Sequence, residues 1–296
     1  MHSTSMLAAL AALAGSVPPA AQTAAFSPVP DDPAWSSFRL ELDSATRMDD
    51  EGWRAFVAAE VAALSVDTTG LRFEIAPGDS AVAAAVTVAA RAAWSRIESF
   101  FGDPFVEPVL VRVFPDRAAF DAYTTEAWGF STECWMVGAG ATRSLVLLSP
   151  LAWATEACDH DPGDPAELAD LVAHELVHVY HMQHNPSHEF EGADEIGWFV
   201  EGLATFVSGQ LDRGHRARAG EALAAGALPA RLAEAWSGPY RYGIAGTLVE
   251  YVDVTRGRDA LRSLLSATRE VEILAALGVD ERGFLEGWRA WLAGTT

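Results

Sequence analysis

Lysine is absent from these 296 residues. All 20 basic residues are arginine, against 41 acidic ones, for a net charge of −21. So little positive charge argues against nucleic acid and anionic membrane as partners. It favours solubility and weakly favours neutral or cationic substrates, although a biased genome or a salty habitat accounts for it equally well. Cysteine is scarce: Cys134 and Cys158 are the only two. They lack the short Cys-x-x-Cys spacing of a metal site; in an exported protein they could instead form one disulfide. Long hydrophobic runs are missing too. The most apolar stretch, residues 6–17, is too short to span a bilayer. Small residues follow it through Ala20, Ala21, Ala24 and Ala25, the shape of a secretory signal with its cleavage region over 1–25. That segment departs from the pattern in having His2 but no Arg or Lys before the apolar run. Ser16 stands where a lipid-anchored precursor needs Cys, so the expected product is exported (secreted or periplasmic) with no stable membrane anchor. The alternative is a disordered Ala-rich terminus.

What is present is a large apolar fraction: half of the residues are hydrophobic, enough for a sizeable core in one large domain or two smaller ones. Residues 26–34 read as a Pro- and Asp-rich linker. Alternation suggests short strands over 38–42 and 71–75, with helical spacing over 51–64 between them. A long Ala-rich helix is expected over 80–101, turning Val82, Val86, Trp94, Ile97 and Phe101 inward and closing at Gly102. A buried strand over 106–114, a short helix capped by Asp116 and a second strand over 145–148 follow, with a Trp- and Gly-rich stretch, 128–141, before that strand. After a loop, only helices are expected: 166–183, 195–211, 217–236, 241–255, 258–268 and 281–293. The fold class is α+β: an N-terminal extension over 26–75, a small mixed-sheet subdomain over 76–165 with an edge strand over a cleft, and a helical subdomain over 166–296.

Residues 174–178 read His-Glu-Leu-Val-His. On a helix, positions i and i+4 share a face, so His174 and His178 can reach one metal ion. Glu175, about 100° further round, can reach a water on that metal without binding it. Leu171, Val172, Ala173, Leu176, Val177 and Val179 surround the trio with apolar residues, and titratable groups in such a stretch are costly unless paired or metal-bound. A catalytic zinc needs a third protein ligand and an open position. His181, His184, His188, Glu189, Glu191, Asp194, Glu195 and Glu201 are the downstream candidates. Glu201 stands out as a carboxylate on an apolar helix (Ile196, Phe199, Val200, Leu203, Val207), followed by Gly202, which permits close helix approach; a buried ion-paired glutamate is the blander reading.

His-Glu-Leu-Val-His followed by Trp-Phe-Val-Glu-Gly-Leu-Ala resembles the gluzincin class of zinc metallopeptidases, the thermolysin-like clan, and within it the bacterial peptidase MA-like branch. Residues 135–150 loosely resemble that branch's edge-strand region, and residues 240–252 its tyrosine-bearing helix. The resemblance spans about 105–268. It implies one Zn²⁺ held by His174, His178 and Glu201, Glu175 as general base, and a peptide or protein substrate. One turn past Glu201 thermolysin-like enzymes proper carry Asp; here Thr205 stands, which leaves the orientation of the ligands unassigned.

Metal-activated water chemistry needs a second donor for the oxyanion. Tyr242 is the first choice and Tyr240 the second, with plain packing as the competing role for each; His215 is a weaker option, expected to be solvated. A peptide is expected to add as a strand along 144–148. Two other readings compete with an exported peptidase: a non-catalytic binding or scaffold protein of the same fold, and a zinc hydrolase of another amide or ester.

Overall fold

A computed structural model of the protein describes residues 70–75, 82–187, 190 and 193–295. The expected signal segment, linker, strand over 38–42 and helix over 51–64 lie outside the described residues. Four strands are present among the described residues: β1 (Leu71–Ile75), β2 (Val109–Phe114), β3 (Gly138–Ala141) and β4 (Ser144–Leu148). The ten helices are α1 (Ala83–Phe101), α2 (Arg117–Trp128), α3 (Pro150–Glu156), α4 (Pro165–His184), α5 (Gly197–Ser208), α6 (His215–Ala224), α7 (Arg241–Arg256), α8 (Arg258–Ser263), α9 (Glu270–Leu277) and α10 (Glu281–Thr295). The fold is α+β, as expected. None of these helices is long and apolar enough to cross a membrane.

The strand order is β1-β2-β4-β3. The first three run parallel, with Phe73 opposite Val111 and Val111 opposite Leu145, while β3 runs antiparallel to β4. β2 starts only at Val109, because Pro108 has no N–H to donate to a ladder. Helix α1 ends at Gly102, whose φ of +82° suits glycine, and the Gly102 N–H closes on the Glu98 carbonyl. Asp116 caps α2 by accepting from the Ala119 N–H, and Asp164 caps α4 by accepting from Ala166.

The sheet corrects one expectation. Strand 144–148 is interior, flanked by β2 and β3, and the edge belongs to Gly138–Ala141. Glycine and alanine are poor strand formers, so the stretch 128–141 does not announce a strand. Small residues are required there because α4 lies against them. A Cβ on Gly140 would stand 2.6 Å from the Glu175 carbonyl oxygen, and one on Gly138 3.1 Å from Glu175 Cγ.

The helical half also differs in detail. The expected helix 217–236 stops at Ala224, where Gly226 takes φ +65°, and resumes only as a 3₁₀ turn at Leu232–Glu234. The expected helix over 195–211 is α5 with a 3₁₀ turn at each end, and that over 258–268 is α8 followed by a 3₁₀ turn at Leu264–Ser266. Two helices went unread. Ser149 and Pro150 end β4 and also start α3, Ser149 accepting from the Leu151 N–H; α9 lies in a stretch where no helix was expected.

One cluster of buried apolar side chains runs from Phe73 on the sheet to Leu292 on α10. Helix α4 is its axis, buried on every face from Leu171 to Gln183. Gly202 lets α5 close against α7: a Cβ there would sit 2.3 Å from the Ala245 carbonyl oxygen. The obstacle is backbone and cannot swing aside, so Gly202→Ala should destabilise the metal-free protein by about 1–3 kcal/mol. Urea unfolding checks this; an unchanged midpoint would contradict so close a helix approach.

Candidate metal centre and cleft

His174 and His178 lie on α4, and Glu201 on α5. The packing of these two helices brings the three together, with one ligand atom from each inside a span of 4.8 Å. The two Nε2 atoms are 3.1 Å apart, and Glu201 Oε2 lies 3.4 Å from His174 Nε2 and 3.6 Å from His178 Nε2. Glu201 and His178 are fully buried, and His174 is 4% exposed. Neither Glu201 oxygen has a hydrogen-bond partner among the described residues. A carboxylate fully removed from water is unfavourable unless a cation balances it. Two imidazole nitrogens and a carboxylate oxygen converging on one point can hold a metal ion.

The electrostatics follow. Burial works against the Glu201 charge, but His178 and His174 outweigh it and take the carboxyl down to about 2. Burial also works against protonated His178, yet Glu201 and Glu175 raise it above the ordinary imidazole value. Glu175 moves the other way. It is 4% exposed, and desolvation raises its carboxyl despite the two histidines. A carboxyl so raised is suited to shuttling a proton.

The orienting partner that the sequence left unassigned is Gln210, whose Oε1 lies 2.8 Å from His174 Nδ1. It follows the C-cap Gly209 of α5, 36 residues beyond His174, and no spacing signal marks it. Thr205, one turn past Glu201, is buried with its hydroxyl unpartnered among the described residues. Gln210→Ala should weaken metal binding about 10–100-fold. Competition with a chelator of known affinity measures this.

Beside the centre lies a cleft of about 540 Å³, whose lining includes Glu175, His174, Gln210, His215, Arg241 and Tyr242. Tyr242 lies in the cleft wall, its ring 6.3 Å from that of His174. Burial, with Glu201 and Glu175 nearby, raises its phenol well above the ordinary value, so it stays a donor. His215 corrects an expectation. It is half-buried in the cleft wall rather than solvated, with its ring 5.2 Å from that of Tyr242. Burial and the neighbouring His174 and Arg218 lower its pKa, favouring the neutral imidazole. Tyr240 instead stacks under Arg218.

No family model, curated protein or solved structure matches this chain. The functional reading therefore rests on the chemistry of the cleft.

Among the described residues, the other ligand candidates are not brought to the centre. His184 Nδ1 bonds the Tyr180 carbonyl, and Glu195 is exposed. His188, Glu189, Glu191 and the Asp194 side chain lie outside the described residues. His181 is buried behind the site, its ring 4.7 Å from Phe190 and 5.6 Å from Phe199. Burial, helped by His178, takes its pKa down to about 3. Its unfolded value is about 6.5, so protons bind the unfolded chain better, and stability falls as pH drops below about 6.5 toward 3. Metal-free protein should lose on the order of a few kcal/mol by about pH 4 through this residue. Urea midpoints from neutral to acid pH should show a shallower loss in His181→Leu; an identical slope would remove His181 as the cause.

One wall of the cleft is stapled. Cys134 and Cys158 are bridged, and the Cys158 N–H also donates to the Cys134 carbonyl. His160 Nε2 meets the Trp135 carbonyl at 2.9 Å and its Nδ1 meets Glu167 at 2.6 Å. Trp135, Met136, Val137 and His160 line the cleft, so the bridge joins the two segments that form this wall.

Proposed function

We propose that the protein is an exported zinc metallopeptidase of the gluzincin kind, with His174, His178 and Glu201 as ligands. The observation that carries the reading is the buried Glu201 carboxylate facing two imidazole Nε2 atoms, with Glu175 one residue from the first ligand and in the cleft wall. Two nitrogens and one oxygen form a donor set that would suit a catalytic zinc, which keeps a further position for water or substrate. His174, His178 and Glu201 would hold the ion, whose chemistry there would be to polarise a carbonyl and lower the pKa of a water toward neutrality.

This chain's residues do the rest. Glu175 takes the proton of the attacking water and passes it to the leaving amine; its raised carboxyl suits both transfers. Tyr242, protonated and beside His174, donates to the oxyanion, and His215 is placed to support it. Gln210 holds the His174 ring by Nδ1. The substrate main chain runs along the sheet edge at Val137 and Gly138, the part of that edge lining the cleft.

A digest of a peptide library with zinc-loaded protein, beside Glu175→Gln, tests the reading. Cleavage products from the first sample alone support a peptidase. Hydrolysis of esters or non-peptide amides without peptide cleavage would redirect it to another zinc hydrolase, and metal binding with neither activity would favour a binding protein.

A further inference from the structure

We propose that Arg241 receives a carboxylate of the substrate, so that the cleft selects peptides with a negative group close to the scissile bond. This rests on the peptidase reading for the identity of the substrate, but its evidence is separate from the metal ligands.

Arg241 is the first residue of α7 and lines the cleft together with Glu175 and His174. The other cleft arginine, Arg213, is ion-paired with Asp164 and with Asp170, the latter at 3.1 Å. Arg241 has no carboxylate within ion-pair distance among the described residues. That is notable in a chain with twice as many acids as bases. Its guanidinium is instead framed by three aromatic rings, 5.6 Å from the Trp135 centroid, 5.3 Å from Trp236 and 5.3 Å from Tyr242. Rings around a planar cation limit its rotation, part of the guanidinium interacts with the Tyr242 phenol, and a guanidinium fork is the group that meets a carboxylate with two parallel hydrogen bonds. Trp135 comes from the stapled wall and Trp236 and Tyr242 from the helical half, so the cation sits where the two walls of the cleft meet.

The backbone adds to the same pole. α6 starts at His215 and α7 at Arg241, neither has a side-chain cap, and both first residues line the cleft. The two starts touch: a Cβ on Gly243 would sit 2.2 Å from the His215 carbonyl oxygen. Two positive helix ends and a guanidinium without a carboxylate partner thus converge beside Tyr242. Of the acids of the cleft, Glu167 pairs with His160 and Asp170 with Arg213, Asp159 is exposed, and Glu175 lies on the metal-centre side of the cleft. A carboxylate at Arg241 therefore completes a pair that the chain leaves open.

The test is calorimetric binding to the full-length Glu175→Gln protein, which does not turn the probes over. The probes are an acetylated alanine tetrapeptide with a free C-terminus, its C-terminal amide, and that amide carrying one Asp. A charged hydrogen bond to Arg241 should make at least one carboxylate probe bind about 10–100-fold more tightly than the neutral amide. Arg241→Gln should reduce that ratio to near one, and Arg241→Lys, which keeps charge but loses the fork, should retain part of it. Preference for the free terminus alone marks recognition of a chain end; preference for Asp alone marks an acidic side chain. Equal binding of all three probes, or a preference that survives Arg241→Gln, overturns the proposal. Failure of the unsubstituted protein to cleave any of these peptides would count against the peptidase reading and leave the binding ratio standing.

Discussion

Purified protein is expected to carry about one zinc per chain by elemental analysis, and His178→Ala and Glu201→Ala should each lose nearly all of it. The expectation comes from burial. Glu201 is fully buried with both oxygens unpartnered among the described residues, opposite two imidazole nitrogens 3.1 Å apart. Removing an outer partner of a metal ligand costs about 10–100-fold in affinity, and removing a ligand from a set of only three should cost more. The two variants should differ without metal. Glu201→Ala removes a buried charge and leaves a small void, whereas His178→Ala leaves Glu201 with one counter-group instead of two, the costlier situation in a dry interior. His178→Ala should therefore be the less stable as a metal-free protein. Metal uptake should also weaken as pH falls, because Glu201 and Glu175 raise the pKa of His178 and a proton there competes with the metal. Full zinc retention by Glu201→Ala would remove the third ligand and, with it, the gluzincin assignment.

The second large effect is on turnover. Glu175→Gln should keep the zinc and the fold but lower kcat by at least about 10²–10⁴-fold, the range for loss of a positioned general base. Glutamine is close in shape to glutamate, so the contact of the side chain with Gly138 persists. It also removes a buried carboxyl whose charged form desolvation disfavours, so the metal-free variant should be no less stable than the parent. The loss should therefore appear in kcat with thermal unfolding unchanged. A variant that retains a tenth of the parent kcat would move the base elsewhere in the cleft, with His215 the first alternative.

Much of this was legible in one dimension because the signals are local. Helical spacing put His174 and His178 on one face, and the apolar residues around them required burial. The same logic found α1 with its Gly102 stop and α2 with its Asp116 cap. Glu201 was legible as an anomaly, a carboxylate on an apolar helix. Gln210, Arg241 and the true edge strand were not. Gln210 and Arg241 are ordinary polar residues at helix ends, and only the packing of α4, α5 and α7 shows what they face. Strand β3 was hidden by its composition: Gly-Ala-Gly-Ala has little strand preference of its own, and its smallness answers to α4 lying against it.

The amino-acid order by itself determined the helix that pairs His174 with His178, the α+β class and the acidic, lysine-free character of the chain, because helix period and charge are properties of neighbours along the chain. Tertiary structure decided the pairing of Cys134 with Cys158, the edge position of β3, the burial of His215 in the cleft wall and the exposure of Arg241 to the cleft without a carboxylate partner. Those depend on which surfaces meet across tens of residues, and that is settled by packing one shared core rather than by any local preference.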